Sequence, residues 1–188
     1  MEEATGKAVL ERARAGDAEA WTTVYRQFSR RVFGLCRHLL GSREAAEDAT
    51  SEVFVRVQRA IRSYDSQQPF PQWLLSIASH YCVDQLRRRR VEQRLFEADE
   101  AALPELPAAD PTPLSELLDA EQRAVLQEAV GELPERLRLP LVLRYYRELS
   151  YQQIADELGL NRNTVATLIL RGKKELRRRL AWSARRPA

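Results

Sequence analysis

The stretch SYQQIADELGLNRNTVATLILRGKKEL, residues 150–176, predicts two consecutive helices joined by a tight turn. Ser150 and Gln153 have the spacing of a capping box, in which each side chain satisfies an open backbone amide at the start of a helix. Gly159 suits the left-handed turn that ends the first helix, and Asn161 can cap the second. This arrangement is typical of a helix-turn-helix.

The second of these helices is predicted to have one apolar and one polar face. Its buried stripe is Val165, Leu168, Ile169 and Leu176. The opposite face combines short polar groups, which suit base edges, with cations, which suit phosphates. That face consists of Asn163, Thr167, Leu170, Arg171, Lys174 and Arg178. A plain helical hairpin with a basic outer face is the alternative, and Ala155, Gly159 and Val165 at matching offsets favour the DNA reader.

The rest of the chain also shows helical periodicity, with little glycine and no alternating strand pattern. Asp17 can cap a helix that ends at Gly41, and Ser42 can cap the next one. A third long helix starts near Pro71, after the turn-rich loop SYDSQQP at residues 63–69. The fold class is therefore predicted to be all-α.

One internal segment differs from the helical stretches in composition. Four of the nine prolines lie between residues 97 and 113, among alanines and acidic residues. Such a composition makes a poor hydrophobic core, so the segment is interpreted as a flexible linker. The sequence therefore predicts two small helical domains, residues 1–95 and 121–188, joined by an acidic linker at residues 96–120.

Charge is distributed unevenly along the chain, although the net charge is only +3. Residues 85–94 carry five arginines against one glutamate, and residues 171–186 carry eight basic residues against one glutamate. Residues 95–120 hold seven acidic residues and no basic one. Two basic clusters separated by an acidic stretch suggest two contacts with a polyanion. Cations at helix ends produce the same pattern without a ligand, so charge alone leaves both interpretations open.

Several classes of protein are not expected. Cys36 and Cys82 are the only cysteines and lie far apart, which argues against a disulfide scaffold and favours buried thiols. With two histidines in the chain, no metal site or cofactor is predicted. No phosphate-cradling loop or nucleophile arrangement indicates an enzyme. No apolar run approaches the roughly 18–20 residues of a membrane-spanning helix, and no secretory signal is evident, so a cytoplasmic location is expected.

An acidic strip lies on the outer face of the helix predicted at residues 42–61. Glu44, Asp48 and Glu52 lie four residues apart on one face, and Glu47 and Ser51 lie beside them. Carboxylates in a row repel one another and stabilise a helix little. The strip is therefore interpreted as a docking surface for a basic partner.

The third helix carries a different stripe. Trp73, Ser76, His80 and Arg87 share one side, with Asp84 at its edge. An aromatic plane, a hydrogen-bonding side chain and a guanidinium suit unstacked bases and phosphates. The alternative is that Trp73 belongs to the core and that His80 is an ordinary surface histidine.

Three stretches of the chain occur in a recognisable order: AEDATSEVFVRVQRAIRSYD, PFPQWLLSIASHYCVDQLRRRR and LPERLRLPLVLRYYRELSYQQIADELGLNRNTVATLILRGKKELRRRL. Together they resemble the extracytoplasmic-function (ECF) sigma factors, the compact branch of the sigma-70 family, over about residues 15–92 and 121–180. The resemblance implies a protein with regions 2 and 4 of that family. Such a protein binds core RNA polymerase and directs promoter recognition, melting and transcription initiation.

The resemblance also implies roles for individual residues. Asp48 and Glu52, with Phe54 packing behind them, fall where the family docks on the beta-prime subunit of the polymerase. The residues that fall where the family melts and reads the -10 element are Ser63, Tyr64, Trp73, His80, Asp84, Arg87 and Arg88. Those that fall where it reads the -35 element as duplex are Arg162, Asn163, Thr164, Thr167, Leu170, Arg171 and Lys174.

The implied partners are the beta-prime and beta subunits of core RNA polymerase, promoter DNA and an anti-sigma factor, with the free protein monomeric and not inserted in a membrane. The chain departs from the family at His80, where an asparagine is common, and in the recognition helix, which lacks a usual lysine and arginine. Two alternatives stay open. A sigma-like decoy that sequesters an anti-sigma protein should not bind core polymerase, and a stand-alone helix-turn-helix regulator should bind duplex DNA without polymerase.

Overall fold

In the computed structural model of this protein, residues 2–94 and 120–183 are described. Over these residues the chain forms α-helices and one short 3-10 helix, Ile61–Ser63, and contains no β-strand, which confirms the all-α prediction. The α-helices in chain order are α1 Glu2–Arg14, α2 Ala18–Leu40, α3 Arg43–Ala60, α4 Phe70–Arg94, α5 Ala120–Gly131, α6 Glu135–Tyr145, α7 Tyr151–Leu158 and α8 Arg162–Ser183. The linker predicted at residues 96–120 lies outside the described residues, apart from Ala120.

The N-terminal domain packs α2, α3 and α4 against one another. The predicted caps are confirmed: the Asp17 carboxylate accepts two amides at the start of α2, Gly41 ends that helix with a φ of 74°, and the Ser42 hydroxyl caps α3. Apolar residues on the facing sides of these helices form the core, together with the free thiols of both cysteines. The core includes Val24, Val32, Leu35, Cys36, Leu39, Ala46, Val53, Val57, Leu74 and Cys82.

Helix α1 was not predicted from the sequence, which placed the first helix after Asp17. It packs on α2, and the Arg14 guanidinium donates hydrogen bonds to the carbonyl oxygens of Arg62 and Tyr64 at 3.1 and 2.9 Å. Helix α1 therefore supports the segment that connects α3 to α4.

The C-terminal domain is built around α8, which packs against α5, α6 and α7. The capping box is confirmed at Ser150 and Gln153, and Gly159 ends α7 with a φ of 68°. The Asn161 side chain accepts the Thr164 amide at 2.7 Å at the start of α8. Further along α8, Gly172 is buried against Leu141 of α6 so closely that a Cβ atom there would lie 2.5 Å from Leu141 Cδ1.

The two domains also pack against each other. Helix α2 contacts both α5 and α6, and buried apolar residues of both domains belong to one continuous cluster. We call this contact the interdomain clasp; its polar contacts across the interface come from Arg87, Tyr146 and Arg147. The sequence does not predict this contact, because the linker expected at residues 96–120 permits either a closed or an open arrangement.

Candidate functional site

The acidic strip lies on the outer face of α3. Asp48 is exposed and forms no ion pair with any described residue, whereas Glu52 pairs with Arg56 at 2.9 Å on the same helix. Phe54 is buried, and its ring centroid lies 4.7 Å from that of Tyr25 on α2. Of the four carboxylates of the strip, those of Glu44 and Asp48 form no ion pair with a described residue, whereas those of Glu47 and Glu52 are each paired with an exposed arginine of the same helix.

Two exposed apolar side chains accompany the strip and were not singled out from the sequence. Val55 is 40% exposed and lies seven residues after Asp48, on the same face of α3. Tyr25 is 46% exposed beside Phe54. The sequence could have identified Val55, because it lies seven residues after an acidic residue and therefore on the outer face of the helix. An aliphatic side chain is unusual on such a face.

An aromatic cluster supports the loop between α3 and α4. The Tyr64 ring lies 5.3 Å from Phe70 and 5.0 Å from Trp73, and Phe70 also contacts Phe28 of α2. The Tyr64 hydroxyl donates a hydrogen bond to the Gln68 carbonyl oxygen at 2.6 Å. Tyr64 is only 6% exposed, so the expectation that it meets DNA directly is at odds with its place in the core. Its ring and hydroxyl instead hold the loop in shape.

The exposed part of this loop is organised by short-range hydrogen bonds. The Asp65 carboxylate accepts the Gln67 amide at 2.9 Å, and the Asp65 carbonyl oxygen accepts the Gln68 amide at 3.2 Å. Ser63 is exposed, and its hydroxyl donates to the Ala60 carbonyl oxygen. The loop thus presents polar side chains to solvent, and the aromatic cluster on its core side fixes its backbone.

The predicted stripe on α4 is present. His80, Asp84, Arg87 and Arg88 are exposed, and Trp73 is partly buried in the aromatic cluster. The exposed Arg87 side chain already has a hydrogen-bond partner, because its Nη2 donates to the carbonyl oxygen of Glu157 in α7 at 2.6 Å. The stripe therefore runs from the loop at one end to the other domain at its far end.

The recognition helix α8 presents most of the predicted residues. Arg162, Asn163 and Lys174 are exposed, Leu170 is 38% exposed, and Thr164 and Arg171 are partly exposed. The placement of Thr167 on the exposed face was wrong, since this side chain is only 2% exposed. A single apolar stripe assumes packing on one side, but three helices pack on α8 and every residue from 165 to 169 is buried.

The C-terminal half of α8 carries charges that pair with each other. Glu175 accepts hydrogen bonds from Arg178 and Arg179, and these bonds, that from Arg178 first, together with the charges of both arginines, lower the pKa of Glu175 to about 2. Arg179 also reaches Glu132 of α5 at 2.8 Å. Part of the basic cluster therefore stabilises the domain, while Lys174 remains exposed to solvent.

Comparison with known proteins gives these surfaces a context. Residues 24–92 match the family described as sigma-70 region 2, and residues 123–176 match sigma-70, region 4. The ECF RNA polymerase sigma factor SigE of Mycolicibacterium smegmatis is 37% identical over 186 residues, which cover 96% of this chain and 69% of the relative. The chain belongs to the ECF sigma factors.

A second relative of this ECF sigma factor matches nearly the full length of both chains. SigW of Bacillus subtilis is 28% identical over 177 residues, or 91% of this chain and 94% of SigW.

Two solved structures share the fold: CnrH in complex with the cytosolic domain of CnrY, and the sigma factor RpoE in complex with the anti-sigma factor NepR from Bartonella quintana. The first is 20% identical with a TM-score of 0.52 and covers 93% of this chain and 96% of that chain. The second is 17% identical with a TM-score of 0.56 and covers 87% of this chain and 98% of that chain.

Membership of this family makes the protein a transcription initiation factor that acts with RNA polymerase rather than a catalyst in its own right. Among the helices that the structure describes, none combines the length and the apolar character needed to cross a membrane. The roles of individual site residues stay predictions.

Proposed function

We propose that this sigma factor docks on core RNA polymerase through α3, captures the -10 element with α4 and the preceding loop, and reads the -35 element with α8. The observation that carries the proposal is the presence, in one chain, of an exposed acidic strip on α3 and a capped helix-turn-helix at α7–α8. A protein that only bound duplex DNA would have no need of the strip.

Docking through α3 combines charge with apolar contact. Asp48 provides a free carboxylate for a basic surface on the beta-prime subunit, and the beta subunit completes the core enzyme. Glu52 can exchange its partner at little cost, because an exposed ion pair such as that with Arg56 contributes at most about 1 kcal/mol. Val55 and Tyr25 supply the apolar area that anchors most interfaces.

Melting of the -10 element requires that unstacked bases are trapped. Unstacking costs a few kcal/mol per base, which contacts in a pocket must offset. Trp73 and His80 offer flat surfaces and a polar edge for such bases, while Arg87 and Arg88 suit the phosphates. Tyr64 acts indirectly by holding the loop.

Reading of the -35 element falls to the start of α8, since the N-terminal residues of a recognition helix contact base edges. Arg162 and Asn163 are exposed there, and Arg171 and Lys174 suit the flanking phosphates. Leu170 suits a thymine methyl group. We assign no base contact to Thr167, because its side chain is buried.

The finer assignments concern partners and location. An anti-sigma factor is proposed as a partner because the similar solved structures include a sigma factor bound to an anti-sigma factor. We also propose that the protein works in the cytoplasm, where RNA polymerase and DNA are found, and that it is a monomer when free.

The docking assignment is tested by the double substitution Asp48→Arg, Glu52→Arg. The matched control is Glu11→Arg, Glu128→Arg, which makes the same charge change at two exposed sites outside the strip. The strip variant should lose binding to core polymerase and run-off transcription of genomic fragments, while its circular-dichroism spectrum stays native. Normal core binding by the strip variant, or equal loss in the control, would contradict the assignment.

The same run-off assay addresses the decoy alternative. Core polymerase supplied with the wild-type protein should produce new RNA 5′ ends that share paired upstream elements. A decoy would produce none and would not form a stable complex with core.

A further inference from the structure

Helix α1 ends beside the loop between α3 and α4, and its last residue, Arg14, contacts that loop. Arg14 Nη2 donates hydrogen bonds to the carbonyl oxygens of Arg62 and Tyr64, at 3.1 and 2.9 Å. These oxygens lie 48 and 50 residues further along the chain. A cation at the end of a helix also interacts favourably with the helix dipole, but that interaction requires no contact with another element. Arg14 therefore joins two separate parts of the N-terminal domain.

The junction between α1 and α2 fixes the position of Arg14. Gly16 has a φ of 91° and turns the chain between the two helices. The Arg12 guanidinium pairs with Asp17 at 2.6 Å, and Asp17 in turn caps α2. Ala13 is buried in the core of the domain. Because the residues on both sides of Arg14 are held, its side chain approaches the loop from a fixed point.

The exposed tip of the loop, residues 65–67, is held at both of its ends. On the N-terminal side, the Tyr64 carbonyl oxygen accepts the hydrogen bond from Arg14. On the C-terminal side, the Gln68 carbonyl oxygen accepts the hydrogen bond from the Tyr64 hydroxyl at 2.6 Å. The second contact lies within the loop itself, whereas Arg14 belongs to another helix. Arg14 therefore fixes where the tip begins relative to the rest of the domain.

A loop that captures an unstacked base has to hold the right shape when the base arrives. Unstacking costs free energy that contacts in the pocket must offset, and the apparent affinity falls with the fraction of the protein that is in the competent conformation. Hydrogen bonds from a charged donor are roughly twice as strong as those between neutral groups. Removal of the two bonds from Arg14 should therefore populate other loop shapes and weaken base capture.

We infer that Arg14 is a positioning residue for promoter recognition, which holds the loop in the shape that captures an unstacked base of the -10 element. The inference rests on the proposed function for the role of the loop. Arg14 acts through the loop backbone and is partly buried. It also lies outside residues 24–92, which match sigma-70 region 2. Helix α1 thus contributes a residue to promoter recognition that the family match does not include.

Three substitutions separate the hydrogen bonds of Arg14 from its packing and its charge. Arg14→Met keeps an unbranched apolar side chain in place of the arginine stem and removes the donor. Arg14→Lys keeps a cation that is able to donate to both carbonyl oxygens. The matched control is Lys7→Met, which removes an exposed cation elsewhere on α1. Circular dichroism and chemical denaturation check that each variant folds.

The first measurement is hydrogen–deuterium exchange of the free full-length protein, followed in peptides that cover residues 61–69. Local opening of the loop exposes its amides without unfolding the domain. In Arg14→Met these amides should exchange at least threefold faster than in the wild type, while the amides of α3 and α4 change little. Arg14→Lys should lie between the two, and Lys7→Met should match the wild type. Unchanged loop exchange in Arg14→Met, or an equal increase throughout α3 and α4, would overturn the inference.

The second measurement is the affinity of core polymerase loaded with each protein for the single-stranded non-template -10 region of a promoter mapped by run-off transcription. Fluorescence anisotropy compares the intact strand with strands in which one base at a time is replaced by an abasic site. In the wild type, removal of the captured base should weaken binding about tenfold or more, as expected for one stacked base.

The ratio of the two affinities at that position is the readout that distinguishes positioning from stability. A smaller amount of folded protein lowers the amount of loaded polymerase but leaves the ratio unchanged. In Arg14→Met the ratio should fall at least threefold, with partial recovery in Arg14→Lys and no change in Lys7→Met. An unchanged ratio in Arg14→Met would overturn the inference alone. A wild-type ratio near one at every position would overturn the proposed function as well.

Discussion

Gly41 shows how one residue serves both a helix end and a domain contact. Its φ of 74° ends α2 in the left-handed region, and its missing side chain leaves room for the Arg138 guanidinium, whose Nη1 would lie 2.8 Å from a Cβ atom. Arg37 also donates to the Gly41 carbonyl oxygen. The backbone conformation and the close approach therefore both require glycine here.

Gly41→Ala should lower the free energy of unfolding by about 1–2 kcal/mol from the left-handed backbone alone, and by more where Arg138 is displaced. The control is Gly6→Ala on α1, which has open space around it and a helical backbone, so it should be neutral or stabilising by up to about 1 kcal/mol. Chemical denaturation of both variants measures the difference. Equal stability of the two would show that Gly41 is not constrained.

At the scale of elements, the capping box decides where α7 begins. Ser150→Ala removes the side chain that accepts the Gln153 amide at 3.2 Å, and we expect a loss of about 1 kcal/mol in stability. Ser51→Ala is the matched control, because Ser51 lies inside α3 and its hydroxyl donates only to a helical carbonyl oxygen, that of Glu47. Denaturant midpoints compare the two, and a larger loss for Ser51→Ala would contradict the role of the cap.

A second prediction about an element concerns the basic residues of the recognition helix. Replacing Arg171 and Lys174 together with alanine should reduce the slope of log affinity against log salt by about 1.8, since each lost phosphate contact on duplex DNA lowers it by about 0.9. The measurement is a salt titration of binding to duplex promoter DNA by the sigma factor with core polymerase. An unchanged slope would mean that these side chains point away from phosphates.

The elements themselves were largely predictable, because caps and periodicity are local. Asp17, Ser42, Ser150 and Gly159 act within one turn of the chain, and each cap is present as predicted. The burial of Thr167 depends on how many helices surround α8, which no local pattern reveals. Tyr64 was likewise assigned to the DNA by its place in the loop, whereas its burial comes from aromatic neighbours on other elements.

The interdomain clasp makes the free energy of unfolding of the whole protein depend on pH. His38 lies in it beside Arg37 and Tyr146, and burial, followed by the charge of Arg37, lowers the pKa of His38 to about 4. The unfolded chain binds this proton with a pKa of about 6.5. Because the unfolded state then holds more protons between these values, the folded protein is fully stabilised above about pH 6.5 and loses up to about 3 kcal/mol as the pH falls towards 4.

We therefore expect the free energy of unfolding to fall between about pH 7 and about pH 4.5 in the wild type, and to fall less in His38→Gln. Chemical denaturation at both pH values measures this. Glu175 does not interfere, since its low pKa of about 2 makes its contribution titrate between about 4.5 and 2. The same pH dependence in both proteins would show that His38 is not the titrating group.

The contact between Gly172 and Leu141 bears on how such proteins diverge. It fixes the crossing of α8 over α6 at a point ten residues beyond Arg162, on the side of the helix that faces the core. Mutations at Arg162 or Asn163 can therefore accumulate without changing the angle at which the helix is presented. If α8 reads the -35 element as proposed, substitutions at these exposed positions change the promoter preference, while the packing of Gly172 against Leu141 keeps the crossing of the two helices unchanged.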